Sequence, residues 1–447
     1  MALKFIFPLL LISLCSLTQA QGPDKPSGGF RAAVVKVNIT PSTPQWLRGY
    51  NPRLSTGVLD SLYHKIVVLD DGTTQFYLIS TDVVGIPAPE YDRMTELLKN
   101  QLNISPMNVW WSVTHTHSAP EIATHFKGIP FPSMANRSQL AAQHKSDPAY
   151  TSWFEEQLIK GIRQARSKLA PARFGVGWGF SQANINRRGI DVGGKASLGL
   201  NPDGDVDRRI GLIRIDHEDG TPLALIANYA IHGTVLGGES TLISGDAPGV
   251  VSAYVEENTG APLLFINGAA GDLAPIYSVY PNPVAGHLSQ FRRLLGDRIL
   301  DAYNRIATSA GGVTLTLGSV VVETPRRPEL GWPDDLAKYS RTTQASSLVR
   351  LPIRFLKINS DVAIWCAPVE MFCEISNEIR DRSPFPFTFY FGYTNGSLGY
   401  LPAASAWEQG GYEPGVSPFT RAAHNDVRDA VVGYLQGELR AAVNVQK

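Results

Sequence analysis

The sequence predicts an α/β fold: a mixed β-sheet core with flanking helices, in a single large domain. Three observations predict it. Short runs of β-branched and aromatic residues, bounded by turn residues, alternate with amphipathic helical stretches. Hairpin, helix and strand follow one another directly, which argues against separate all-α and all-β parts. No linker or low-complexity tract divides the 447 residues.

After a Pro/Gly-rich leader, Phe30 to Ile39 alternates as a first strand, and Gly49 to Gly57 reads as a loop over a site. His64 to Leu69, the turn Asp70-Asp71-Gly72 and Gln75 to Thr81 form a hairpin with the Asp-Gly signal. Helix periodicity over Glu90 to Leu102 places Met94, Leu97 and Leu98 on one face, and the helix feeds a strand at Val109 to Val113. Ile122 to Ser146 has little pattern and reads as a surface excursion. A helix over Ala149 to Leu169 and a strand over Arg173 to Phe180 precede Asn184-Ile185-Asn186-Arg187-Arg188. A second hairpin, Ile210 to Ile215 and Leu223 to Ala230, loosely resembles the first; convergence of hairpins also explains that likeness. Next come a helix at Gly249 to Glu257, a buried strand at Pro262 to Ile266, and the glycine-rich Asn267 to Asp272. Such a loop can aim backbone N–H groups at an anion. Leu288 to Ile306 reads as helix, Val313 to Glu323 as strand, Arg326 to Arg341 as irregular, and Phe355 to Trp365 as one strand. A helix at Met371 to Arg380, a strand at Phe387 to Phe391, a Gly- and Tyr-rich stretch and a final helix at Thr420 to Val445 complete the chain.

Composition bounds the function. Lys4, the apolar run Phe5 to Leu17 and Thr18-Gln19-Ala20 follow the plan of a secretory signal, cleaved after Ala20, so residues 1–20 are read as signal peptide and 21–447 as one exported domain, periplasmic or extracellular. No later stretch approaches the ~20 apolar residues of a membrane span, so no transmembrane segment is expected in the mature chain. Lys and Arg total 40 against 40 Asp and Glu, without a charged block, which argues against nucleic acid as a partner. Cys366 and Cys373 fit either a disulfide or two buried thiols. No feature of the sequence selects an oligomeric state.

Strand ends collect the chemistry. His115 and His117 close the run VWWSVTHTHSAPE, and residues two apart on an extended segment face one side. His232 follows the second hairpin, and Glu370 follows the strand ending at Trp365. Neutral imidazole and carboxylate are the ligands of a hydrolytic zinc that keeps one position open. The competing reading makes His232 a satisfied core histidine and Glu370 a helix N-terminal carboxylate.

The runs HTHSAP, NINRR, AIHGT with ISGD, NGAAGD and APVEMF, with the late tyrosines, resemble in order the catalytic domain of the neutral/alkaline non-lysosomal ceramidases. The likeness runs from Arg31 to about Tyr412 and implies a Zn²⁺ amidohydrolase that cleaves the amide of N-acylsphingosines, a lipid or small-molecule amide substrate. It implies metal ligands at His115, His232, Glu370 and Tyr400. It also implies substrate-facing roles for His117, Arg187 and Tyr412, the last twelve residues beyond Tyr400. Ala274 stands where the family's loop carries a serine, and the resemblance implies a short form without the immunoglobulin-like C-terminal domain of longer members. The rivals are a zinc hydrolase of another acyl amide or ester, and a secreted binding protein that has lost turnover.

Overall fold

The computed structural model describes residues 29–122, 146–278, 288–344 and 346–437. The leader read in residues 1–20, most of the excursion after Ile122 and the end of the last helix lie outside these residues.

Two β-sheets pack face to face. The larger is built from β1 (Arg31–Asn38), β2 (Tyr63–Asp70), β3 (Gln75–Thr81), β4 (Val109–Val113), β5 (Ala170–Phe180), β8 (Arg209–His217), β9 (Pro222–Tyr229) and β10 (Leu263–Asn267). Its order is β10-β9-β8-β5-β1-β2-β3-β4. The β9–β10 and β3–β4 pairs are parallel and the rest antiparallel. The order repeats about the β5–β1 junction: each half is an outer parallel strand reached from a hairpin through a helix. That helix is α1 (Ala88–Leu102) in one half and α3 (Asp246–Thr259) in the other. The loose likeness of the two Asp-Gly hairpins therefore has a topological counterpart.

Between β5 and β8 the chain forms a separate hairpin, β6 (Asn184–Ile190) with β7 (Ala196–Asn201), and the short β11 (Leu273–Pro275) joins its β6 edge. The second sheet contains β12 (Leu315–Pro325), β13 (Ser347–Ile358), β14 (Val362–Cys366) and β16 (Phe387–Phe391). Phe76, Trp110 and Ile226 of the first sheet meet Leu356, Ile364 and Phe391 of the second in one buried cluster. Helix α2 (Pro148–Ser167) covers the outer face of the first sheet with Phe154, Leu158 and Ile162, while α3 and α4 (Asp297–Arg305) cover its other half. Helices α5 (Cys373–Asp381) and α6 (Ala423–Leu435) close the far side of the second sheet. The result is a mixed α/β fold of four layers, helices outside and sheets inside, with a core large enough to hold its strand ends rigidly.

Several sequence expectations need correction. Phe355 to Trp365 is two strands, β13 and β14, because Asn359-Ser360-Asp361 turns the chain and Asn359 takes a left-handed φ of 55°. Leu288 to Ile306 opens with a 3₁₀ turn at Leu288–Gln290 and a π turn at Arg292–Gly296, and only Asp297–Arg305 is α-helix. The helix expected from Met371 starts at Cys373, since Glu370 and Met371 stay extended as β15 (Glu370–Met371) and pair with β17 (Tyr400–Leu401). Of the two readings open for Cys366 and Cys373, the structure shows the second: both are buried free thiols.

The glycine-rich loop Asn267 to Asp272 has a different task from an anion cradle. The Gly268 and Gly271 N–H groups donate to the Tyr229 and Met371 carbonyls at 3.1 and 2.8 Å. A Cβ on Gly271 would stand 2.6 Å from the Glu370 carbonyl oxygen, so the loop packs directly on the strand that carries Glu370. Replacing Gly271 by Ala is expected to cost about 1–3 kcal/mol of stability, read as a lower urea midpoint. An unchanged midpoint would contradict this packing role.

Candidate metal centre

The parallel strands bring their carboxyl ends to one rim, where loops present the polar side chains. Here His115 follows two residues after β4, β9 runs into His232, and β14 leads through β15 to Glu370. Asn267 ties these ends together: its amide accepts from Ile231 N–H at 2.9 Å and donates to the Ile231 carbonyl at 2.7 Å. Asp246, at a left-handed φ of 54°, accepts from the N–H groups of Val235 and Leu236 at 3.0 and 2.9 Å and so fixes the turn after His232.

The two histidines of the HTH run do face one space, but not by strand alternation. His115 has a φ of 61°, so the chain bends there. The bend leaves the Nε2 atoms of His115 and His117 only 3.3 Å apart. His232 completes the group, with one ligand atom of each imidazole within 4.8 Å of the others.

The proton positions follow from the partners. His115 Nδ1 lies 2.5 Å from the Val84 carbonyl, and His232 Nδ1 lies 2.7 and 3.0 Å from the carbonyls of Ala270 and Leu273. A carbonyl can only accept, so both rings carry Nδ1–H, and each ring in its neutral form presents a bare Nε2 lone pair inward. Those lone pairs meet Glu370 Oε2 at 3.4 and 3.6 Å. Burial, then Arg187, pushes the His232 imidazole down to about 3, so it carries no charge near neutral pH. Burial opposes the Glu370 charge; positive charge among the His115 and His232 ring nitrogens is what outweighs it and holds the carboxyl well below its usual range. With both rings neutral, three acceptors converge with no proton among them, and His232 Nε2 and Glu370 Oε2 are buried without a hydrogen-bond partner among the described residues. Each such orphan costs about 1–3 kcal/mol; a divalent cation at their centre removes the cost. The donor set fits one.

Glu370 lies directly opposite Tyr400 in the parallel β15–β17 pair. Tyr400 is buried, and burial, then Glu370, keeps its phenol well above the ordinary range. A cation's charge is what would bring that phenol to phenolate. Arg187, on β6, donates to the Tyr400 hydroxyl at 3.3 Å and to the Gly271 carbonyl at 2.8 Å. Burial works against the Arg187 charge, yet Tyr400 and Glu413 beside it hold its pKa above the ordinary value. Glu413 bridges Arg187 at 3.0 Å and Arg188 at 2.6 Å.

His117 differs from the other two imidazoles. No carbonyl fixes its tautomer, its Nδ1 is buried without a partner, and its ring stands edge-on to Tyr50 at 5.0 Å. Burial, then His115 and His232, lowers its pKa well below 6.5. Gly49 has a φ of 111°, and a Cβ there would fall 2.5 Å from His117 Cγ, which explains why the covering loop begins with glycine. A cavity of about 400 Å³ opens in front of these groups and is lined by His117, Arg187, Leu198, Ala274, Tyr400 and Tyr412. Tyr412, 65% exposed, stands with its ring 5.8 Å from that of Tyr400.

A second cluster, Glu374, Glu378 and His424, is of another kind. His424 Nδ1 accepts from Ala404 N–H at 3.0 Å, so Nε2 carries the proton and offers no lone pair to a cation.

A family model described as neutral/alkaline non-lysosomal ceramidase, N-terminal, matches residues 36–268. The chain belongs to this family. Neutral ceramidase B of Dictyostelium discoideum is 25% identical over 201 residues, 44% of this chain and 27% of that protein. Neutral ceramidase of Mycobacterium tuberculosis (strain ATCC 25618 / H37Rv) is 25% identical over 203 residues, 42% of this chain and 29% of that protein. The match thus spans under a third of either curated relative. The fold extends further: a solved ceramidase complexed with C2 aligns at a TM-score of 0.72 and 16% identity, covering 93% of this chain and 76% of that one. Neutral ceramidase from Pseudomonas aeruginosa aligns at 0.70 and 16%, covering 92% and 75%.

Sequence reasoning missed Asp246, Asn267 and Glu413 as supports. The runs ISGD and NGAAGD were visible, but nothing local says which carbonyl or N–H a buried carboxylate or amide will hold. Replacing Glu370 by Gln keeps shape and removes charge. The expected result is a protein with an unfolding temperature within a few degrees of wild type that no longer retains a stoichiometric divalent cation through gel filtration. Full retention would contradict the assignment.

Proposed function

We propose that this chain is a zinc-dependent amidohydrolase that cleaves the N-acyl amide bond of ceramide-like lipids, exported through a leader at residues 1–20 and working as one domain over 21–447. The observation that carries the reading is the pair of imidazoles locked as Nδ1–H, facing Glu370 with no proton between them. His115, His232, Glu370 and Tyr400 would hold the cation. When bound, zinc supplies polarisation of the acyl carbonyl and a water of pKa near ~7.

The other residues divide the proton and charge work. His117 lines the cavity and is neutral, so it takes a proton from the attacking water and returns it to the leaving amine nitrogen. Arg187 holds a fixed positive charge beside Tyr400, positioned by Glu413 and the Gly271 carbonyl, and stabilises the developing oxyanion. Tyr412 donates its hydroxyl to substrate at the mouth. The Ala274 methyl lines the cavity, so no hydroxyl stands at that position as a nucleophile, which favours attack by water.

The hairpin wall favours a substrate with an aliphatic chain. Its register places Arg188 opposite Leu198 and Ile190 opposite Ala196, on one face. Ala196 and Leu198 line the cavity, Leu198 is 77% exposed, and Val192 at the tip is fully exposed. An apolar track thus leads outward from the polar centre. No helix among the described residues is long and apolar enough to cross a membrane.

The test is turnover of a fluorescent N-acylsphingosine and a panel of acyl amides, with and without chelator. Chelator-sensitive cleavage of the N-acylsphingosine, restored by zinc, is expected. Cleavage only of non-sphingoid amides would give the site to another substrate, and stoichiometric zinc without turnover would make the chain a binder. Replacing His117 by Ala should lower kcat by about 10²–10⁴ with zinc content unchanged. Loss of zinc in that variant would instead place His117 among the ligands.

A further inference from the structure

Tyr393 is a residue that neither the sequence motifs nor the roles above account for. It lies in the loop after β16 (Phe387–Phe391), and its carbonyl accepts from Val113 N–H, the last residue of β4, at 3.3 Å. Its ring lies against the His115 imidazole, with centroids 4.2 Å apart and planes 34° from parallel, and stands perpendicular to His232 at 6.2 Å. The residue is 5% exposed, and its hydroxyl is buried with no hydrogen-bond partner among the described residues. Burial keeps that hydroxyl well above the ordinary phenol range, and Glu370, Tyr400, Arg187 and Tyr390 act on it electrostatically.

Two features set Tyr393 apart from an ordinary core aromatic. An unpaired buried hydroxyl costs about 1–3 kcal/mol relative to a ring without one, and Phe would fill the same volume without the penalty. The backbone also takes a φ of 52°, a strained setting for a large side chain. The first cost is offset if the hydroxyl meets a partner when the site is filled; the second holds the ring in place against His115. Tyr393 is not among the residues that line the open cavity, and its ring approaches the centre across the His115 imidazole.

We propose that Tyr393 is a further catalytic residue of this centre. Its hydroxyl donates a hydrogen bond to the oxygen that reacts beside the group formed by His115, His232 and Glu370: water before attack, the acyl oxyanion after it. No bond is made or broken at Tyr393, and its proton stays on the phenol throughout. The assignment rests on the reading of the imidazole–carboxylate group as a metal site, which metal analysis of the wild-type protein tests separately.

The experiment replaces Tyr393 by Phe in the full chain and compares it with wild type in zinc-loaded and Co²⁺-substituted forms. Expected are one zinc per chain, kcat lower by about 10–100-fold with KM within about twofold, and a changed visible absorption spectrum of the Co²⁺ form. An unfolding temperature of the metal-free protein equal to or above wild type is also expected, since an orphan hydroxyl has gone. Wild-type kcat with an unchanged Co²⁺ spectrum would overturn the proposal and leave Tyr393 a packing residue. Loss of zinc from Y393F would overturn it differently, by making the phenol a ligand. A wild-type protein that binds neither Zn²⁺ nor Co²⁺ would remove the centre itself.

Discussion

The structure depends on two imidazole N–H groups held by backbone carbonyls. The Val84 carbonyl accepts from His115 Nδ1–H, and the Ala270 and Leu273 carbonyls accept from His232 Nδ1–H. Those contacts decide where the protons are, and so decide that two lone pairs confront a carboxylate. Had either ring been turned over, it would donate to Glu370 and the group would be a satisfied polar cluster. As built, it is complete only with a positive charge inside it.

Much of the fold holds that arrangement. Donors and acceptors come from β3, β4, β9, β10, β14 and β17 or the loops beyond them, so the centre stands where both sheets end. The four-layer core fixes those ends; Asn267, Asp246 and the close packing of Gly271 on Glu370 carry that rigidity to the side chains. On the open side, the β6–β7 hairpin supplies Arg187 from its inner strand and an apolar face from its outer one, joining a charge and an apolar surface in one element.

How much of this was legible in the sequence depends on the range of the forces involved. The hairpins, the β4 run and the amphipathic face of α2 were readable, because alternation and helical spacing are local. The break at Asn359 was readable in principle from Asn-Ser-Asp but was hidden inside a longer apolar run. The His115–His117 pair was visible as residue types, whereas the left-handed turn that aims it was not. Strand alternation predicted a shared face for the wrong reason. Glu370 and Tyr400 meet through a strand pair only two residues long, which leaves no periodic trace. Nothing local marked Tyr393, since a tyrosine among glycines reads as a loop aromatic until the ring beneath it is known.

The most direct measurement is anomalous scattering at the zinc edge from crystals of protein grown with stoichiometric zinc. The account predicts one strong peak per chain, within coordination distance of His115 Nε2, His232 Nε2, a Glu370 oxygen and the Tyr400 hydroxyl, about 2.0–2.2 Å for the nitrogen and oxygen ligands. A peak instead at Glu374, Glu378 and His424, or none at all in zinc-replete crystals, would contradict it.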